Sequence, residues 1–354
     1  MKSVITGVGH YIPTVVKRNS DFMINTFFDD KFTSINQTSE SVVHKFADIT
    51  GITERRYATS DLRCSDMAAI AANEAIADAG INPETIDQII VAHNFGDIFP
   101  HNIQTDAVPS IASRVKHLLG IVNPNCVAYD LMFGCPGWVQ GLIQAHAYLQ
   151  VGMAERVLVI GAESLSRVLD PYDRDSMIFA DGAGAVILEK QEGTESGIMS
   201  SCAQSHCQED LHYIELGKSN FPGSDPRIRF IKMKGRKVYE YAIRQVPPAI
   251  RECMKRANVS LSEVGKIFLH QANEKLDEAI IRELFKSEGF DEIPMNIMPM
   301  NIHKLGNSSV ATIPTLYNMV RKGEIPGFTV SPGEIIIFAS LGAGMNISAV
   351  CYRV

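Results

Sequence analysis

Apolar positions along the chain fall into short runs between polar, glycine-bearing turns, and their spacing switches repeatedly between strand and helix. Ser3 to Val8 reads as a buried strand ending at Gly7-x-Gly9. Ser65 is placed to cap an alanine-rich apolar helix, Met67 to Ala79, which Gly80 ends. Asp87 precedes a strand, Gln88 to Ala92, and a second helix is predicted over about Gln104 to Leu119, closed by Gly120. Cys126 to Tyr129 reads as a strand end. A Gly-Cys-Pro-Gly turn and helical spacing from Val139 to Leu149 follow it. Arg156 to Glu163 is the next strand, and residues 178–188 form a glycine-rich turn into another. No Gly-Lys-Ser/Thr follows that turn, so close backbone packing is the expected role of Gly182 and Gly184. Residues 19–45 carry Phe22, Phe27, Phe28 and Phe32. They are either a helical excursion covering a pocket or an insertion with its own small cluster.

The pattern repeats. Ala79 to Val91 has a counterpart in Ala257 to Leu269, Gly134-Cys135 in Gly306-Asn307, and the strand from Val157 in the strand from Ile335. The offsets are 178, 172 and 178 residues (257 from 79, 307 from 135, 335 from 157). The chain therefore reads as two α/β halves, 1–190 and 191–354, each within the usual domain size. Alternating helix and strand predicts mostly parallel sheets with helical cover.

Composition narrows the function. The 354 residues are 45% hydrophobic and 21% charged, with a formal net charge of −7 and no basic block, which argues for a globular chain without a nucleic-acid partner. Seven cysteines, at 64, 126, 135, 202, 207, 253 and 351, include no C-x-x-C pair, so free thiols and no metal site are expected. Met1 to Gly9 runs straight into a strand-like segment, and no apolar stretch approaches the roughly 20 residues of a membrane span. A soluble cytoplasmic protein is expected.

The candidate chemistry centres on Cys135. A thiol where a strand turns into a helix faces the positive end of the helix dipole and free backbone N–H groups, which favour the thiolate; Pro136 suits the first helical position. The alternative is a buried structural cysteine. If the halves pair about a twofold, Cys135 looks across at Asn307, and His270 lies at the carboxyl end of the strand Ile267 to Leu269, where ligand chemistry gathers in α/β proteins. His270 supplies a donor or a proton acceptor, and Asn307 supplies uncharged donors. Each also has a plain reading, His270 as a cap and Asn307 as a turn residue. His303 lies on a polar loop and is read as structural. The small-residue turn after Phe338, Gly342-Ala343-Gly344, lets backbone approach closely, so the N–H groups of Cys135 and Ala343 could hold an oxyanion. A tight strand crossing explains the turn equally well.

Taken together and in order, these segments resemble a β-ketoacyl-[acyl carrier protein] synthase III of the thiolase-like superfamily over essentially the whole chain. The resemblance runs through Gly51 to Arg56, Gly134 to Gly137, Asp170 to Arg174, Asp181 to Ala185, Met233 to Tyr239, His270 to Asn273, Gly306 to Ser309 and Gly342 to Gly344. It implies an α/β thiolase-like fold of two pseudo-symmetric halves in α-β-α-β-α layers, with the nucleophile in the first half and the His and Asn in the second. It also implies that Cys135 takes an acyl group as a thioester. His270 and Asn307 would stabilise a malonyl thioester as it loses CO₂, and the N–H groups of Cys135 and Ala343 would form the oxyanion hole. Arg174, Trp138 and Leu341 are the implied substrate-binding residues. The implied substrates are acyl-coenzyme A or acyl-carrier protein together with malonyl-carrier protein, with no cofactor and a homodimer. Where such synthases grip coenzyme A with a tryptophan and an arginine, this chain has Lys45 and Ile49, which opens a specialised lipid or polyketide-like role. Lys116, Arg251 and Arg256 are candidate contacts for an acidic carrier. Two alternatives stand beside this reading: acyl transfer without decarboxylation, and a non-catalytic partner subunit.

Overall fold

The fold is seen in a computed structural model that describes residues 1–99, 102 and 104–354. Five strands form the first sheet: β1 (Lys2–Tyr11), β4 (Gln88–Ala92), β5 (Val127–Leu131), β6 (Arg156–Ser164) and β7 (Asp181–Gln191), in the order β1-β7-β6-β4-β5. Between β1 and β4 the chain forms a short ribbon of β2 (Val15–Arg18) and β3 (Glu54–Tyr57). The second sheet has the order β11-β12-β13-β8, from β8 (Gly197–Ser205), β11 (Val264–Leu269), β12 (Ile335–Gly342) and β13 (Asn346–Arg353). The two orders match strand for strand. The place of β5 in the second sheet is taken by a single backbone bond, from the Ile267 N–H to the Ile297 carbonyl.

The expectation of mostly parallel sheets is corrected. Only β4–β5, β4–β6 and β11–β12 run parallel; β1–β7, β6–β7, β12–β13 and β13–β8 are antiparallel. The cause is local in the second half. Only Ala343 to Met345 separates β12 from β13, far too short for a parallel crossover.

Alternation along the strands sets the layers. In β6, Val157 and Val159 face inward while Leu158 and Ile160 face outward. The outer residues pack under α2 (Cys64–Ala79) and α3 (Ile111–Leu118). The inner residues meet α4 (Gly137–Gln150) and α8 (Thr312–Arg321), which lie between the sheets. On the far side of the second sheet, Ile267, Ile337 and Ile347 pack under α5 (Gly235–Ala257) and α6 (Glu274–Ser287). This is the expected α-β-α-β-α stack. At its centre Phe338 receives Trp138, Tyr317 and Phe268, with ring centroids 5.6, 5.1 and 5.5 Å away.

Several local expectations shift. Helix α2 begins at Cys64 with Arg63 as N-cap; Ser65 is inside it and donates its hydroxyl to Asp97 at 2.7 Å. The helix expected over about 104–119 spans only Ile111–Leu118. Pro109 lacks the N–H that a continuing helix needs, Asp97 and Asp106 pair backbones, and Ser110 caps the shortened helix. Close packing holds for Gly184, where a Cβ would come within 2.7 Å of Pro314, whereas Gly182 has only ordinary contacts.

The 19–45 segment mixes its two readings: it borders a cavity, but much of it is not helical, and its buried phenylalanines join a cluster shared with other elements. Phe22 and Phe27 join Val42, Val43 and Phe46 of α1 (Ser39–Thr50) in a separate cluster with Met177 and Phe179, while Phe28 and Phe32 line a surface cavity. Arg55 ties the cap down from within. It is fully buried, donates to the carbonyls of Met177 and Lys17, and lies against Phe22 and Phe46.

Candidate active site

Cys135 stands in the elbow between β5 and α4. Gly134 before it has φ +67°, and a Cβ there would come within 2.7 Å of the Ala343 nitrogen. Pro136 is the N-cap of α4, one position earlier than expected. From the other half the turn 342–344 presses against this elbow, and a Cβ on Gly342 would sit 2.7 Å from the Pro136 ring. The close crossing of backbones and the approach of Ala343 to Cys135 are thus one feature.

Asn307 occupies the equivalent elbow of the second half. It follows α7 (Ile302–Leu305) and Gly306, whose φ of +66° matches that of Gly134. Its backbone is pinned to the first half: Asn307 N donates to the Ile178 carbonyl and Ala180 N to the Asn307 carbonyl, each at 2.8 Å. Its side-chain oxygen accepts from Ser309 N at 2.8 Å. His270 follows β11, its backbone N–H donating to the Ala339 carbonyl at 2.9 Å and its Nδ1 lying 2.9 Å from the Thr312 hydroxyl. The neighbours of His270 are structural. Gln271 holds the 299–302 loop through three hydrogen bonds, and Asn273 caps α6. His303 is structural as expected, with Nδ1 3.2 Å from the Gly51 carbonyl.

Cys135, His270 and Asn307, 172 positions apart at their extremes, line one cavity of about 360 Å³. Leu341 and Ala343 line it too. Trp138 does not; it is 1% exposed and packed in the core between the sheets, because as the second residue of α4 it is turned toward Phe338. Arg174 lines a second, outer cavity of about 770 Å³ beneath the 19–45 segment. The two cavities share Glu215 and Met233, on a ribbon of β9 (Ile214–Gly217) and β10 (Phe230–Met233). Lys232 pins that ribbon to the buried Asp170 at 2.5 Å and to Asp173 at 2.9 Å.

Electrostatics correct the thiolate expectation. Burial pushes the Cys135 thiol up to about 12; the Ser309 hydroxyl and the Cys135 backbone N–H oppose this, and the Glu163 carboxyl adds to it. Burial likewise pushes His270 down to about 4. The resting pair is therefore thiol and neutral imidazole. Desolvation disfavours any charge in this pit and outweighs the helix terminus. Cys135 is open to the cavity yet far from bulk water, which is why it is both partly accessible and strongly desolvated.

Sequence reasoning did not find the groups behind the thiol. Asn94 bridges Glu163 and the Ser309 hydroxyl, and burial pushes Glu163 up to about 8. Asn94 and Glu163 both follow or end strands of the first sheet, the one available signal. Ser309 holds a left-handed backbone, φ +53°, uncommon for serine and frequent at functional sites. Among the proposed carrier contacts, Lys116 is occupied by the Asn123 and Cys126 carbonyls at 2.7 Å, and Arg256 pairs with Glu252 at 2.9 Å. Lys45 reaches Gln37 at 2.9 Å and Ile49 is exposed.

Two matched sheets with a cysteine elbow facing a histidine and an asparagine define a thiolase-like acyltransferase. Comparison with known proteins carries this further. A family model described as 3-oxoacyl-[acyl-carrier-protein (ACP)] synthase III matches residues 129–207, and the model of its C-terminal part matches 254–354. A β-ketoacyl-[acyl-carrier-protein] synthase III from Erythrobacter litoralis is 32% identical, covering 100% of this chain and 99% of its own. One from Porphyra purpurea is 33% identical over 92% of this chain and 94% of its own. The crystal structure of 3-oxoacyl-(acyl carrier protein) synthase III, FabH, from Pseudomonas aeruginosa PAO1 superimposes with a TM-score of 0.81 at 26% identity, covering 100% of this chain and 98% of that one. The chain belongs to the β-ketoacyl-[acyl carrier protein] synthase III family.

Proposed function

We propose that this protein joins a cysteine-bound acyl group to a malonyl thioester, with loss of CO₂, to give a β-ketoacyl thioester at the start of fatty-acid synthesis or in a related lipid pathway. The observation that carries the residue roles is the meeting of Cys135, His270 and Asn307 on one cavity wall. Cys135 Sγ attacks the carbonyl of an incoming acyl thioester, and the neutral His270 takes the thiol proton and passes it to the leaving thiolate. The oxyanion forms against the backbone N–H groups of Cys135 and Ala343. A malonyl thioester then enters and its C–CO₂ bond breaks. The enolate oxygen rests on His270 and the Asn307 carboxamide, and its carbon attacks the acyl-cysteine. The C–S bond breaks, the β-ketoacyl thioester leaves, and one proton from solvent restores the Cys135 thiol. Two neutral donors suit an enolate; an acidic residue at 307 would suit simple acyl transfer, so Asn307 weighs against the non-decarboxylating alternative, and the retained Cys135 against a non-catalytic subunit. Every step is supplied by side chains and substrates, and the reading calls for no metal or cofactor.

The outer cavity is the approach for coenzyme A or a carrier protein. Lys218 and Lys234 line it with no ion-pair partner among the described residues and suit a phosphate or an acidic carrier better than Lys116 or Arg256, which are already engaged; Arg174 and Arg236 line it too, paired with Asp175 at 3.6 Å and Glu240 at 2.9 Å. A homodimer through β5 is part of the reading: β5 is an edge strand, with Val127 52% and Met132 70% exposed beside it. No helix among the described residues is long and apolar enough to cross a membrane, which is compatible with a cytoplasmic enzyme. The halves 1–190 and 191–354 are the proposed units, since the chain changes sheets between β7 and β8.

Incubation with acyl thioesters followed by mass spectrometry is expected to place the acyl group on Cys135, and malonyl thioester is then expected to release CO₂ and discharge it. Full condensing activity in Cys135→Ser would sink the reading.

A further inference from the structure

The lining of the inner cavity includes the apolar Ile231, Met233, Val238 and Leu276, and with them Asp277. Asp277 stands in the first turn of α6 and is 1% exposed. Its Oδ2 has no hydrogen-bond partner, and no cation pairs with the carboxyl among the described residues. The charged groups that influence it, Glu274 and Glu278, are acidic and on the same helix. A leucine of similar size would fill the place without the cost of burying a lone carboxyl. Burial pushes the group well up and so favours the carboxylic acid, with one O–H donor and one carbonyl acceptor.

Its position says what it would meet. Met233 also lines the outer cavity, and Val238 follows directly after Arg236 and Lys237, which line that cavity too. Asp277 and Cys135 thus line one cavity, which adjoins the outer one at Met233. A thioester reaching Cys135 brings its arm into this cavity, and the polar groups of such an arm near the sulfur are amides. We propose that Asp277 is a binding residue for an amide of the arm that carries the thioester, hydrogen-bonding it through an otherwise unsatisfied carboxyl. The assignment rests on Cys135 being the acyl acceptor.

The test measures Cys135 acylation by intact mass as a function of thioester concentration. Two donors carry the same acyl group, one on coenzyme A and one on ethanethiol, which has no amide. In Asp277→Leu the half-saturating concentration of acyl-coenzyme A is expected to rise about five- to tenfold, with an unchanged maximal rate, while the ethanethiol ester is unaffected. The melting temperature of the variant is expected to rise. Asp277→Ala, which cannot overfill the site, gives the same comparison if the leucine variant does not fold. An equal change for both donors, or no change for acyl-coenzyme A, overturns the proposal. Failure of both donors to acylate wild-type Cys135 overturns the nucleophile reading and this one with it, and the wild-type control tells the two cases apart.

Discussion

Asn307 Oδ1 accepts the backbone N–H of Ser309, two residues further on, at 2.8 Å. The bond occupies the oxygen end of the carboxamide and leaves its NH₂ for the cavity. Asn307→Asp keeps the shape and the bond but puts a charged acceptor where two donors stood. Condensation with malonyl thioester is expected to fall about 10²- to 10³-fold, and CO₂ release with it, while acylation of Cys135 continues. Parallel measurement of CO₂ and of the Cys135 adduct checks this; unchanged CO₂ release would remove Asn307 from the enolate site.

Cys135 and Asn307 were legible because a duplicated fold writes the same elbow twice, and each elbow needs a positive-φ glycine, Gly134 and Gly306. His270 was legible from its place after a strand. What depends on distant packing was not. Trp138 looked like a pocket residue because it follows Cys135 closely, but helical phase sends it into the core. A helix N-terminus is visible in sequence and argues for a thiolate. Desolvation by the opposite half is not visible, and it wins. Nothing in the sequence marks Glu163 or Asp277; their burial alone sets them apart. The mostly parallel expectation failed because helix–strand alternation does not reveal a three-residue hairpin between β12 and β13.

A thiol pushed up to about 12 alkylates in proportion to its small thiolate fraction. Iodoacetamide labelling of Cys135 is expected to be slow at neutral pH and to quicken by about tenfold per pH unit between 7 and 10. Cys207, the exposed cysteine, should label first, so the modified residue must be located by peptide mapping. A rate at Cys135 that is already fast at pH 7 and flat above it would mean that a thiolate rests there.

Glu163 offers a stability test. Its carboxyl ionises near 4.5 in an ordinary setting and near 8 in the folded protein, chiefly through burial. Between those values the unfolded chain has lost a proton that the folded state keeps. The folded state is therefore favoured at low pH, and this contribution is lost as pH rises from about 4.5 to about 8. Glu163→Gln removes that slope while leaving an oxygen to accept from Asn94. Unfolding free energies from urea titrations are expected to match wild type near pH 5 and to exceed it at pH 8 by a margin of order a few kcal/mol. Curves that stay parallel across this range would mean that Glu163 is ionised in the folded state.

Thr312 is placed to select which nitrogen of His270 carries the proton. Its hydroxyl lies 2.9 Å from His270 Nδ1 and 2.9 Å from the Ser309 carbonyl. Donating to the carbonyl, it accepts Nδ1–H and leaves Nε2 bare, the form that takes a proton from Cys135. Turned the other way, it donates to Nδ1 and leaves Nε2–H, the form that supports an enolate oxygen. The two halves of the reaction need opposite tautomers, and a rotating hydroxyl accommodates either, while one proton leaves Nδ1 to solvent and one from solvent arrives at Nε2. Thr312→Val leaves the Ser309 carbonyl as the partner of the imidazole and favours the bare-Nε2 form. Decarboxylation is expected to slow by about tenfold with acylation little changed, so acyl-Cys135 accumulates at steady state and is seen by intact mass. Thr312→Ser is expected to behave as wild type. If the serine variant is as slow as the valine variant, the methyl packing of Thr312 rather than its hydroxyl governs the rate.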